Sequence, residues 1–190
     1  MSVAGFIVLA VIAVLAGYGV ALYNSLVSLK HSVSKAWSNI DVLLKQRHDE
    51  LPKLVETCKQ YMQHEQQTLE KVMQARSGVS SALGQADVAA LGQAETKMRQ
   101  GLMNLFAVAE AYPDLKANES FQGLQQRISQ LENNIADRRE FYNASVNLNN
   151  VRIEQFPDLL IAGFFNFKSF DLLEFEEAAI SDLSVKELFE

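Results

Sequence analysis

The first charged side chain in this sequence is Lys30. From Val3 to Leu22 the chain runs 20 residues that are apolar apart from glycines and Tyr18. Wound as a helix, such a run is about 30 Å long, the thickness of a bilayer hydrocarbon core. A helix pairs its own backbone groups, so it can cross lipid unaided. A cleavable signal sequence would open on basic residues, and Met1-Ser2-Val3 has none. The segment is therefore expected to be retained as a single transmembrane anchor over residues 1–23, with Val3, Phe6, Leu9, Ile12, Leu15 and Leu22 meeting lipid. Tyr18 and Tyr23 suit the membrane–water boundary. Positive charge flanks only the C-terminal side, at Lys30 and Lys35 and then Lys45 and Arg47, which predicts an outside N-terminus and a cytoplasmic body.

Beyond the anchor the apolar residues keep helical spacing. Leu26, Val33 and Ile40 recur every seven residues, and Leu29, Ala36 and Leu43 interleave with them. A break is expected at residues 47–52, where Asp49 can cap a new helix and Pro52 falls in its first turn. A second stripe then runs from Leu51 to Met73, and a third from Leu91 to Ala109. The third stops before Pro113, which disfavours helical dihedrals in the residue before it. Asn118 can cap a fourth helix, which carries Phe121, Leu124, Ile128, Leu131, Ile135 and Tyr142 and ends at Phe156-Pro157. The expected fold class is all-α: a transmembrane helix, then an antiparallel four-helix bundle over residues 24–157. Alternating helix directions would bring Phe156 back towards the bilayer.

Seven of the eleven phenylalanines fall in the last 35 residues. Phe164, Phe165, Phe167, Phe170 and Phe175 form a candidate interaction surface, either a membrane-interface or partner-binding patch or a cover for the end of the bundle. Residues 158–190 are thus read as a Phe-rich membrane-proximal segment followed by an acidic tail. The tail carries the whole net charge of −6, since residues 1–170 hold 16 acids and 16 bases. Its apolar residues allow either an amphipathic helix docking on a basic protein surface or a solvated tail.

Composition bears on function mainly by exclusion. A neutral body with an acidic tail does not suit nucleic-acid binding. The lone Cys58 excludes an intrachain disulfide framework and fits a reducing compartment. His64-Glu65 lacks the second histidine of a zinc-protease helix, because Thr68 stands there. His48 and His64 are the weak basis of a metal-enzyme reading, which lacks the three or four converging ligands a site needs. Ser32 and Lys35 match S-x-x-K without the further motifs of serine–lysine enzymes. No cofactor, metal or catalytic residue is expected, and the chain reads as non-enzymatic.

Several blocks together resemble the LemA family of membrane-anchored bacterial proteins. They are Tyr23-Asn24-x-Leu26-Val27, Ala36-Trp37-Ser38-x-Ile40-Asp41-Val42-x-Leu44-Lys45, Arg47-His48-Asp49-x-x-Pro52-x-Leu54-Val55-Glu56 and His64-Glu65. The most distinctive is Glu110-Ala111-Tyr112-Pro113-Asp114-Leu115-Lys116-Ala117-Asn118, followed by Arg139-x-x-Tyr142-Asn143-x-x-Val146 and Ile153-x-x-Phe156-Pro157. The resemblance covers about residues 1–168. It implies an N-terminal anchor, a helical body, an outside N-terminus and residence in the bacterial inner membrane. It brings no catalytic residues, and some relatives are associated with building internal membrane structures. Asn149 stands where the family often has tyrosine. The expected function is a membrane-anchored scaffold or adaptor, self-assembling through protein contacts and held to lipid by its first helix. The alternative is a regulatory partner of another membrane protein such as a protease or transporter.

Overall fold

A computed structural model defines residues 3–175, so the readings made for the acidic tail at 176–190 lie outside the described residues. The described chain is all-helical, with no strand. Helix α1 spans Val3–Lys59, α2 Gln66–Gln85, α3 Val88–Ala109, α4 Pro113–Lys116, α5 Glu119–Glu154 and α6 Asp158–Phe164. Two compact units divide it. One combines residues 3–40 with Arg138–Leu172, and the other combines Asp41–Asp137 with residues 173–175.

The expected break at residues 47–52 is overturned: α1 continues to Lys59 with Pro52 inside it. A proline in a helix interior removes the bond from its own N–H to the carbonyl four residues back. That carbonyl belongs to His48, and Arg76 of α2 donates its Nε–H to it at 2.9 Å. The carbonyl orphaned by Pro52 thus has a partner from another helix, and Asp49 caps nothing because no helix starts there. The stripe from Leu51 to Met73 is instead divided later, at residues 60–65. The chain reverses there around Met62, which is fully buried.

The other helix limits follow the sequence more closely. Asn118 accepts the Phe121 N–H at 3.0 Å, the N-cap bond expected of it. Asp87 caps α3 in the same way, accepting the Ala90 N–H at 2.9 Å. Residues 110–118 do more than end α3. The Tyr112 hydroxyl donates to Glu65 at 3.3 Å and Asn118 donates to the Tyr61 hydroxyl at 3.1 Å. This distinctive block therefore fastens the reversal at 60–65. Helices α2 and α3 approach closely at Gly101, where an added Cβ would lie 3.6 Å from Val72. A second approach is Gly78, where an added Cβ would lie 3.8 Å from Ala94.

The buried face of α1 within the second unit contains Leu44, Arg47, Leu51, Leu54, Val55 and Cys58. Burial removes solvent from the Cys58 thiol and pushes its pKa up to about 11. In the first unit Leu26, Ile153 and Ala162 form a small core that Leu29, Ile161 and Phe167 extend. Trp37 packs on Tyr142 there with ring centroids 5.4 Å apart.

Candidate functional site

The opening of α1 is long and apolar enough to cross a membrane, and no residue of its most apolar stretch is buried inside the protein. Val3, Phe6, Leu9, Ile12 and Leu15 are all exposed, and Leu22 is half-buried. A core helix would hide such side chains. Full exposure of this much apolar surface makes the segment a candidate membrane span.

At the end of that segment the first unit gathers aromatic rings. Tyr23 lies 4.6 Å from Phe165 and 5.9 Å from Phe167 between ring centroids, and Phe165 contacts Phe164 edge-on at 5.0 Å. Phe156, Leu159, Leu160, Phe164 and Phe165, on α6 and at its two ends, are exposed, with Phe164 at 83%. The sequence-predicted surface therefore divides. Phe164 and Phe165 form an exposed edge beside Tyr23. Phe167 is half-buried against the Leu26 core, and Phe170 is half-buried. Phe175 is buried in the second unit and is not part of that exposed edge. The reason is local: residues 165–172 fold back along α5 as an extended strap, rather than continuing one exposed aromatic face.

Polar side chains of α5 hold the strap. Asn150 donates to the Phe170 carbonyl at 2.9 Å and accepts the Phe170 N–H at 3.0 Å. The Tyr142 hydroxyl donates to the Asp171 carbonyl at 2.9 Å, and the buried Asn149 donates to the Lys168 carbonyl at 3.4 Å. Asn149 thus serves the backbone of the strap. Arg152 clamps the start of α6 through Asp158 at 2.5 Å and reaches Ser25 of α1 at 3.3 Å. A cleft of about 620 Å³ opens between this strap and α1, lined by Tyr23, Lys30, His31, Asn149, Phe165 and Lys168 among others.

The second unit holds a buried ion network that sequence reasoning missed. Arg47 is 1% exposed and makes a two-pronged contact with both carboxylate oxygens of Glu95 on α3. It also donates to Glu132 of α5 at 2.5 Å. A signal was present: Arg47 continues the seven-residue series Leu26, Val33, Ile40 and precedes Leu54 in it. Burial works against the Arg47 cation, but the Glu95 and Glu132 carboxylates outweigh it and its pKa is raised. Burial raises the Glu95 pKa, with Glu132 adding to the shift and Arg47 and Arg99 opposing it. The Arg47 Nε–H has no partner among the described residues. Nearby Glu50 pairs with Arg127 at 3.0 Å and Lys53 at 3.1 Å.

The histidines stay apart from this network's chemistry. His31 and His64 are exposed, and His48 gives its carbonyl to Arg76. Burial lowers the His48 pKa, with Arg76 and Arg47 acting in the same direction. Among the described residues no three His, Cys, Asp or Glu side chains are grouped to hold a metal ion. The Ser32 hydroxyl donates to the Ser28 carbonyl at 2.9 Å.

The family model described as LemA family matches residues 36–186. Two relatives from Paramagnetospirillum magneticum (strain ATCC 700264 / AMB-1), the magnetosome proteins MamQ 2 and MamQ 1, are each 24% identical over 194 residues. Each match covers 88% of this chain and 70% of the relative.

Proposed function

Because this chain belongs to the LemA family, we propose that it is a non-enzymatic, single-pass membrane-anchored scaffold whose copies assemble at the bilayer and organise membrane structure or partner proteins. In this reading the body is an antiparallel four-helix bundle. The membrane is the bacterial inner membrane, with the N-terminus outside and the body cytoplasmic. Lys30 and Lys35 carry the positive-inside argument, because Arg47 is occupied by its two glutamates. The names of the two relatives as magnetosome proteins favour work at a specialised membrane.

One observation carries the assembly. Along α5, Phe141, Ala144, Leu148 and Val151 are exposed and follow one another at steps of three, four and three residues. This is the spacing of a coiled-coil seam, on the helix whose Tyr142, Val146 and Asn149 are buried. A second apolar stripe on an already packed helix fits a helical partner, and a second copy offers the same stripe across a two-fold axis. Native mass spectrometry of the full-length chain in lipid nanodiscs tests this. The wild type should be oligomeric, and Leu148→Glu should reduce it to monomers with unchanged helix content. A monomeric wild type would end the self-assembly reading, as would capture of only other proteins by crosslinks from the seam.

A further inference from the structure

We infer that the cleft beside Tyr23 receives the phosphate of an anionic phospholipid headgroup; the inference rests on the membrane-anchored reading above. The cleft's lining combines Lys30, His31 and Lys168 with aromatic rings, and it contains no carboxylate. The cleft between α2 and α3 shares that charge pattern, with Lys71 and Lys97 and no carboxylate in its lining, so the aromatic rings and the position beside the apolar segment set this one apart. Among the described residues neither Lys30 Nζ nor Lys168 Nζ has a carboxylate partner, a condition shared with Lys35, Lys71 and Lys97, whereas Lys45, Lys53, Lys59 and Lys116 are paired. Lys168 is set in place from behind. Asn166 adopts φ 55°, the left-handed turn that starts the strap, and Asn149 binds the Lys168 carbonyl.

Location selects lipid over a soluble anion. The apolar segment ends at Leu22, and Lys30 lies seven residues beyond Tyr23, about 10 Å along the helix. Helical side chains lean towards the N-terminus, so the Lys30 ammonium reaches back towards the headgroup layer. On the strap side Phe165 lines the cleft and contacts the exposed Phe164, an apolar edge joined to the end of the apolar segment through the Tyr23–Phe165 contact. A lipid seated here would put its phosphate between two lysines and its acyl chains against Phe164 and the apolar segment. The rings at the mouth match the amphipathic character of the interface.

The test uses the full-length chain in nanodiscs of phosphatidylcholine containing a tenth phosphatidylglycerol. Native mass spectrometry counts phosphatidylglycerol molecules retained as the disc is stripped. The wild type should keep one bound phosphatidylglycerol, and Lys30→Gln/Lys168→Gln should lower the retained fraction on the order of tenfold. Both lysines are exposed, so the fold should survive, checked by circular dichroism. Equal retention by wild type and variant would overturn the inference. Displacement of the lipid by millimolar inorganic phosphate would also overturn it, assigning the cleft to a free anion. Membrane pelleting separates the two failures. If the wild type pellets but shows no lysine-dependent retention, only the cleft fails. If it does not pellet, the membrane anchoring itself fails.

Discussion

The Nε–H of Arg76 donates to the carbonyl oxygen of His48, the acceptor that Pro52 has no N–H to serve. This contact explains how α1 passes through a proline without ending, and it ties α2 to α1 within the second unit. Continuity matters because Arg47 and Cys58, on either side of the proline, both lie on the buried face.

The first prediction is a coupling between Arg76 and Pro52. Arg76→Met should destabilise the protein by about 1–3 kcal/mol, the cost of a partly buried polar group losing its partner. In a Pro52→Ala background the new N–H can serve the His48 carbonyl, so the same substitution should cost less. Urea denaturation of the four proteins gives the coupling directly. Equal costs in both backgrounds would show that Arg76 does not compensate for the proline.

Arg47 should be among the most sensitive positions. Arg47→Met leaves Glu95 and Glu132 facing each other with Glu95 fully buried, and breaking a buried pair costs about 3–5 kcal/mol. Replacing all three together (Arg47→Met, Glu95→Leu, Glu132→Leu) should recover most of that loss, because the desolvation penalty disappears with the charges. Recovery is read as the denaturation midpoint of the triple variant against the single one.

Glu95 gives a pH dependence of defined sign. Its folded pKa is raised by burial and by Glu132, against Arg47 and Arg99. The folded state therefore binds the proton more tightly than the unfolded chain. The resulting stabilisation is full below the unfolded carboxylate value, about 4.3, and is lost as pH rises through the folded value. Relative to Glu95→Gln, the wild type should lose stability with increasing pH across that window. A flat difference between the two proteins would remove Glu95 as the titrating group.

Gly92 should not accept alanine. A Cβ there would lie 2.0 Å from the Glu174 carbonyl oxygen, and that neighbour is backbone. The residues on either side, Leu173 and Phe175, are buried. Gly92→Ala should force this segment off α3 at a cost of about 1–3 kcal/mol, more than the gain in helix propensity. Hydrogen exchange should show residues 173–175 losing protection while α3 keeps it.

Much of the helical architecture was legible because periodicity and capping are local. Leu26, Val33 and Ile40 marked a buried face, Pro113 stopped α3, and Asn118 capped α5 as its side chain allows. Pro52 misled, since its compensation comes from Arg76, 24 residues away in sequence, and no local rule reveals it. The reversal at 60–65 contains neither glycine nor proline; its signal is the burial of Met62 and contacts from Tyr112 and Asn118. Arg47 was hidden by its charge, although its heptad position pointed inward. The candidate site was legible as composition, an apolar opening and a Phe-rich end. Which rings stay exposed was not, because Asn150 selects its strap partner Phe170 from 20 residues away.

The account turns on residues 3–22 lying in lipid with the α6 edge at its surface. Spin labels on introduced cysteines at Ile12 and Phe164 of the full-length chain, reconstituted in bilayers, measure depth by oxygen and nickel accessibility. Cys58 should stay unlabelled because its thiol is buried. Position 12 is predicted to sit near the bilayer centre and position 164 at the headgroup boundary. Water-like accessibility at both positions would contradict the account.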